Sequence, residues 1–287
     1  MTIEIVDRKT KKIREESVYG NEYLRLVYKE TTFSKFLCTL TAKCPFFSYL
    51  YGLWQKSPFS KFQIAPFVKK FEVNLEESES QEFPSFNDFF IRKLKDKARP
   101  IASTSLIAPA DGRYFVYENI TANQEIFVKG KGLAIEKLFK GADQYVGGAL
   151  IMARLAPPDY HRFHFPIDCV PSAPSLIGGY LYSVNPVALR VNANYITENK
   201  RVLVELKSET LGKVAFLAVG ATNVGSIQFT YQPHHLYKRG EELGYFAFGA
   251  SMVLVLIGPD KLHLAKDLLE NTASKKETLC QMGESLI

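Results

Sequence analysis

The chain has 287 residues, enough for one large domain or a catalytic domain with an appendage, and its 46% hydrophobic and 23% charged content is ordinary for a globular core. A net charge of +6 suits anionic headgroups or phosphates, while the lack of any zinc-finger spacing or long Lys/Arg block argues against a nucleic-acid partner. No stretch of apolar residues is long enough to cross a membrane, the charged N-terminus is not that of a signal peptide, and Cys38, Cys44, Cys169 and Cys280 form neither a CxxC nor a metal spacing.

The first charged residues predict a short hairpin over Ile3–Arg14, turning at Asp7-Arg8-Lys9-Thr10. From Phe33 to Trp54 large apolar residues recur at helical spacing, interrupted by Pro45 and ended near Pro58, and a second helical run spans Ile64–Phe71. Every charged residue between Thr31 and Phe71 is a lysine. An apolar-aromatic face beside a lysine face fits a helix lying in a lipid headgroup layer, and equally a helical lid packed on the core. Glu76–Glu82 is acidic and Ser-rich and reads as a linker, which divides an N-terminal helical region (1–80) from a catalytic domain (81–287). Ser85 and Asp88 have the spacing of a capping box opening an amphipathic helix over Ser85–Leu94.

From Ile101 onward the texture is that of strands. Apolar runs at Tyr114–Tyr117, Ala149–Leu155, Val202–Leu206, Val214–Val219, Ile227–Tyr231 and Met252–Ile257 are separated by turn residues. A helix is expected around Ala134–Lys140, a helical or irregular run at Asp260–Glu270, and a polar tail after Asn271. Without βαβ alternation the expected class is α+β, an N-terminal helical membrane-associating segment followed by a mostly antiparallel sheet.

Three stretches carry chemistry. Gly249-Ala250-Ser251 puts a serine after two small residues, on a turn feeding a buried strand; a plain β-turn has the same composition. Asp111 lies in Pro109-Ala-Asp-Gly112, a turn signal, and a carboxylate on such a turn either caps its own backbone or orients an imidazole. His161 and His164 stand three apart; in a helix they share a face, and in a strand they face opposite ways. They lack the Glu of the zincin pattern, and neither a dinucleotide nor a P-loop fingerprint is present. Serine, histidine and aspartate are the partners of nucleophilic proton-transfer chemistry.

With these residues assembled, the chain resembles the phosphatidylserine decarboxylases from about Phe83 to Ile257. The resemblance rests on several motifs in order, among them Phe86-Asn-Asp-Phe-Phe-Ile-Arg-Lys-Leu-Lys95 with Ala98-Arg-Pro-Ile101, Pro109-Ala-Asp-Gly112, Asp159-Tyr-His-Arg-Phe-His-Phe-Pro166 and Lys238-Arg-Gly-Glu-Glu-Leu-Gly-Tyr-Phe246, with two further matches at Gly179–Pro186 and Val219–Ile227. The family self-cleaves at a Gly-Ser bond to make a pyruvoyl group. Here, with Ser251 as the processed serine, Ala250 replaces the family glycine and Met252 the threonine; in the other alignment Ala250 takes the serine position and the chain does not process.

What the resemblance implies is pyruvoyl-dependent decarboxylation of phosphatidylserine to phosphatidylethanolamine, after cleavage between Ala250 and Ser251 into a large chain (1–250) and a small chain (251–287). Ser251 is then the nucleophile and the source of the pyruvoyl group that receives the substrate amine, His164 the base oriented by Asp111, and His161 the group that serves lipid turnover. The implied cofactor is that pyruvoyl group, with no metal and no PLP. The implied setting is an anionic membrane surface at the cytoplasmic face of the cell membrane, held peripherally, with a homodimer left open. A serine hydrolase with the same triad, or a non-processing lipid-binding homologue, are the alternative readings.

Overall fold

The computed structural model describes residues 3–16, 18–29, 31–43, 45–126, 132–221, 226–249 and 251–287. Cys44, Ala250 and part of the Val219–Ile227 motif lie outside them.

The fold is α+β, built on a ten-stranded sheet. From one edge the order is Ile13–Glu15, Glu4–Asp7, Glu277–Cys280, Gly112–Tyr117, Ala149–Leu155, Ser251–Ile257, Gly212–Gly220, Arg201–Ser208 and Val170–Pro171, with Ser175–Ile177 also pairing to Arg201–Ser208. Every pairing is antiparallel except Glu4–Asp7 with Glu277–Cys280. The apolar runs named from the sequence fall on strands, because β-branched and aliphatic side chains fit a pleated surface covered on both sides, except that the run Ile227–Tyr231 is a strand only to Phe229, at the partly exposed edge of a smaller sheet. The expected N-terminal hairpin is present, its turn closed by the Asp7 carboxylate accepting from the Thr10 N–H at 2.9 Å.

Alternation along the central strand divides the core. Val253, Val255 and Ile257 enter one cluster with Phe163, Phe165, Phe216 and Phe246, beneath a three-stranded sheet of Ile227–Phe229, Glu242–Phe246 and Arg162–His164. Met252, Leu254 and Leu256 enter the cluster on the opposite face.

Three expectations are corrected. The capping box forms, with Ser85 Oγ accepting from the Asp88 N–H at 3.2 Å, but the helix stops at Phe90. The chain after it is drawn into extended pairing, where the Lys95 N–H donates to Glu77 O and the Glu79 N–H to Lys93 O. Around Ala134–Lys140 only a single 3₁₀ turn forms, Ile135–Lys137. The polar tail contains a buried strand, Glu277–Cys280, whose glutamate is matched by the buried Arg154 guanidinium at 2.6 Å.

The N-terminal helices are Thr32–Lys43, Pro45–Lys56 and Ile64–Phe71, and the last two bring apolar residues both inward and outward where the sequence suggested one face. Phe67 packs inward on Phe86 and Phe89, and Tyr51 meets Phe248 at a ring separation of 5.6 Å. Phe46, Tyr49, Leu50 and Leu53 form an i, i+3, i+4, i+7 stripe that stays exposed, continued by Trp54, Phe59 and Phe62. No helix among the described residues is long and apolar enough to cross a membrane.

Candidate active site

Ser251 opens the central strand, opposite Gly220 on one side and Leu155 on the other. It is fully buried, and its Oγ has no hydrogen-bond partner among the described residues. A buried hydroxyl left unpaired costs on the order of 1–3 kcal/mol, so a partner or a reaction is the expected reason for keeping it there. Strand alternation turns it to the face of Val253 and Phe163. Gly249, two residues earlier, has φ 138°, a conformation that L side chains rarely adopt. The Phe248 N–H donates to Asn87 Oδ1 at 3.3 Å, which ties the segment before Ser251 to the first helix of the catalytic region.

The histidine motif reaches the same place by a strand. The Phe246 N–H donates to His161 O, carrying the pairing of Arg162–His164 with Glu242–Phe246 one residue outward. His161, Phe163 and Phe165 therefore share one side, and Arg162 and His164 the other. Because Phe163 and Phe165 lie in the cluster with Val253, His161 is the histidine on the Ser251 face. Its Nδ1 lies 2.9 Å from Asp159 O, its ring stacks on Phe90 with 3.7 Å between centroids, and its buried Nε2 has no partner among the described residues. Burial, with the Arg92 and Arg113 charges in the same direction, pushes its pKa down to about 3.

His164 sits on the opposite side of that strand. Its Nδ1 donates to Gly240 O at 2.9 Å, so its Nε2 accepts from the Tyr160 hydroxyl at 3.2 Å. Burial lowers its pKa, while the Gly240 carbonyl and the Glu242 and Asp111 carboxylates oppose that shift. The aspartate and histidine motifs are joined by the His164 N–H donating to Pro109 O at 2.7 Å. The Asp111 carboxylate itself is held by Arg99, whose Nε and Nη2 donate at 2.9 and 2.6 Å, and by the Met282 N–H at 2.8 Å. No imidazole bonds to it among the described residues.

Sequence reasoning singled out Asp111, His161, His164 and Ser251 but not what grips them. Arg99 links Asp111 to Glu77, and Arg92 holds the loop before His161 by donating to Pro158 O at 3.1 Å. Arg113 pairs with the Asp159 carboxylate and with Glu16, and Arg154 joins Glu16 to Glu277. Tyr160 is adjacent to His161 in the motif, yet its hydroxyl serves His164. Arg92, Arg99, Asp159 and Tyr160 lie inside the motifs read from the sequence, which mark their positions but not their partners, and no periodicity or spacing marks Glu16, Arg113 or Arg154.

A cavity of 560 Å³ runs along Ala247 and Phe248, between them and the helix Pro45–Lys56. No group of three or more His, Cys, Asp and Glu residues able to hold a metal ion occurs among the described residues.

The family model described as phosphatidylserine decarboxylase matches residues 86–287. The phosphatidylserine decarboxylase proenzyme of Chlamydia felis (strain Fe/C-56) is 43% identical, the match covering 99% of this chain and 97% of that one. The proenzyme of the same name from Chlamydia pneumoniae is 40% identical over 98% of this chain and 95% of the relative. The one from Fusobacterium nucleatum subsp. nucleatum is 40% identical over 98% and 96%.

Proposed function

The chain belongs to the phosphatidylserine decarboxylase family and is an enzyme of that activity, and from this we propose that it splits itself between Ala250 and Ser251 and works through a pyruvoyl group made from Ser251. The observation that carries the proposal is the Ser251 hydroxyl, buried and unpartnered at the head of the central strand, just beyond the positive-φ Gly249. A group formed from that serine fits the site, because the oxygen it gives up holds no hydrogen bond among the described residues.

In the proposed reaction Ser251 Oγ gives up its proton to a histidine and attacks the Ala250 carbonyl. The C–N bond breaks, the nitrogen of residue 251 takes the proton, and an ester remains. A base then takes the Cα proton of residue 251 as the Cβ–Oγ bond breaks, which leaves a carboxylate on Ala250 and a Cα=Cβ double bond at residue 251, and protonation at Cβ turns that enamine into an imine. Water then releases ammonia from residue 251. The pyruvoyl carbonyl so formed supplies the electron sink that no standard side chain offers for loss of CO₂. Intact-mass measurement of the purified protein tests this: two chains, 1–250 and 251–287, the smaller without a free amine, are expected, and a single uncut active chain would overturn it.

The roles proposed for the histidines follow the motif. His164 is the splitting base, supported by the Asp111 charge that acts on it and by the bond joining the two motifs; His161 serves the lipid carboxylate or the product carbanion. A second reading has His161 as the splitting base, favoured by its buried, unpartnered Nε2 on the Ser251 face. Both imidazoles are driven toward the neutral, basic form by burial.

After splitting the small chain would stay in place. Its strand Ser251–Ile257 lies between Ala149–Leu155 and Gly212–Gly220, and Glu277–Cys280 between Gly112–Tyr117 and Glu4–Asp7. The exposed stripe of the Pro45–Lys56 helix, with lysines as the charges around it, supports peripheral attachment to an anionic bilayer, at the cytoplasmic face of the cell membrane.

A further inference from the structure

The 560 Å³ cavity beside Phe248 has an uneven chemical lining. Its charged side chains are Lys43, Lys56 and Lys200, and no carboxylate lines it among the described residues. Most of the remaining wall is apolar or aromatic, from Tyr49, Leu53 and Phe248. We propose that this cavity holds the phosphodiester of the phospholipid substrate, with Lys56 and Lys200 as its anion-binding residues and Lys43 as a third ammonium steadied 4.9 Å above the Tyr180 ring. The inference deepens the decarboxylase reading and rests on it.

Charge is the first reason. The charged residues lining one largely apolar space are three lysines, with no carboxylate among the described residues, so an anion is the ligand its charge favours. Lysine carries a compact charge on a flexible stem, which suits a singly charged phosphodiester whose oxygens present no fixed fork.

Distance is the second. The Gly220 N–H donates to Lys200 O at 3.0 Å, and Gly220 is the residue opposite Ser251. Lys200 thus lies two strand spacings from Ser251, about 10 Å. In a phosphoserine headgroup the amine is four covalent bonds from phosphorus, and the lysine stem spans the remainder. A phosphate bound between these lysines sets the headgroup amine toward residue 251.

Continuity with the exposed face is the third. Tyr49 and Leu53 line the cavity and also belong to the outward stripe, with 64% and 48% exposure. One apolar wall therefore runs from the cavity to the surface proposed to meet the bilayer, and gives the acyl chains a route that never crosses water.

The test uses the full-length enzyme with phosphatidylserine in neutral detergent micelles, where attraction to an anionic surface does not contribute. Lys56→Ala and Lys200→Ala are compared with Lys56→Arg, Lys200→Arg and the control Lys213→Ala, which removes an exposed charge at the far end of the strand Gly212–Gly220. The extent of splitting is read first, by intact mass. Complete splitting in all variants is expected, with KM raised about tenfold in each alanine variant, the worth of one hydrogen bond to a charged group. kcat should stay within about twofold of the parent, arginine should restore most of the loss, and Lys213→Ala should match the parent. Competition is read with glycerophosphoserine and with inorganic phosphate. Glycerophosphoserine should inhibit the parent and lose potency in Lys56→Ala, and phosphate should inhibit weakly. An unchanged KM with complete splitting overturns the subsite, as does an equal rise in Lys213→Ala. Phosphate competing as well as glycerophosphoserine would make the cavity a simple anion site and overturn the lipid assignment. A parent enzyme that decarboxylates without splitting sinks the pyruvoyl reading and leaves the lysine result to be judged by its own KM values.

Discussion

His161 donates its Nδ1 proton to the carbonyl of Asp159 at 2.9 Å. A carbonyl only accepts, so the neutral ring keeps its lone pair on Nε2, the atom that is buried and unpartnered on the face of Ser251. The Asp159 carboxylate is fixed in turn by Arg113 and by the Ala156 N–H, and the Asp159 peptide is thereby held in place.

The first consequence is a pH dependence of stability. The folded pKa of His161, about 3, lies below the unfolded value of 6.5. Between the two, the unfolded chain binds a proton that the native chain does not, so stability is fully present above about pH 6.5 and falls with acidification, by about 1.4 kcal/mol per pH unit. Urea unfolding of the uncut Ser251→Ala chain from pH 7 to pH 5 should show this slope, and adding His161→Gln should reduce it. Equal slopes in the two proteins would mean the imidazole is open to protons in the native state.

The histidines are separated by product analysis. His164→Ala should leave the chain uncut, and Asp111→Asn should slow splitting strongly. His161→Ala should split and then fail to turn over phosphatidylserine. The reverse pattern, normal splitting in His164→Ala and none in His161→Ala, would assign the splitting base to His161 and agree with its position on the Ser251 face.

Arg99 and Asp111 form a largely buried two-pronged pair that Glu77 extends. Arg99→Ala leaves the Asp111 carboxylate with the Met282 N–H as its remaining donor and should destabilise the fold by about 3 kcal/mol. Arg99→Lys should recover little, because an ammonium cannot reproduce the fork. Denaturant midpoints of the three proteins check this; a loss below about 1 kcal/mol would mean the pair is solvated.

Gly249 and Ser251 make distinct predictions about splitting. Ser251→Ala should abolish it. Gly249→Ala imposes a side chain at φ 138° and should slow it, since strain of about 1–3 kcal/mol shifts the carbonyl that Ser251 must reach. Ala250→Gly should change the rate without moving the site. Time courses of intact mass distinguish these outcomes, and splitting that persists in Ser251→Ala would sink the mechanism.

The exposed stripe is tested apart from catalysis. Replacing Phe46, Tyr49, Leu53 and Trp54 by serine should abolish co-sedimentation with anionic vesicles while splitting remains complete. Parent binding should weaken as salt rises from about 50 mM to about 500 mM, because the lysine attraction is screened. Unchanged sedimentation of the quadruple variant would turn the stripe into a plain surface.

Apolar runs such as Val214–Val219 and Met252–Ile257 announced their strands because a segment covered on both faces has to be apolar throughout. Glu277–Cys280 was hidden for the opposite reason. Its glutamate is buried only because Arg154, far away in sequence, neutralises it, and no local pattern records a partner that folding supplies. The helical segment Thr31–Phe71 told of apolar faces but not of their number, since periodicity shows which residues avoid water and not what covers them.

The sequence by itself determined the family, the strand-rich class and the four residues Asp111, His161, His164 and Ser251, because each of these is written in contiguous residues. It also stated the choice at the two histidines: three apart, they share a face in a helix and part in a strand. Only the tertiary structure decided between these, by pairing Arg162–His164 with Glu242–Phe246, which sends His161 to the Ser251 face and His164 to Tyr160 and Gly240. It likewise gave Asp111 to Arg99 and set the lysines around the cavity beside Phe248. Those relations join residues distant in the chain, and the sheet that brings them together is stabilised by burial of its two faces and not by any local signal at the site.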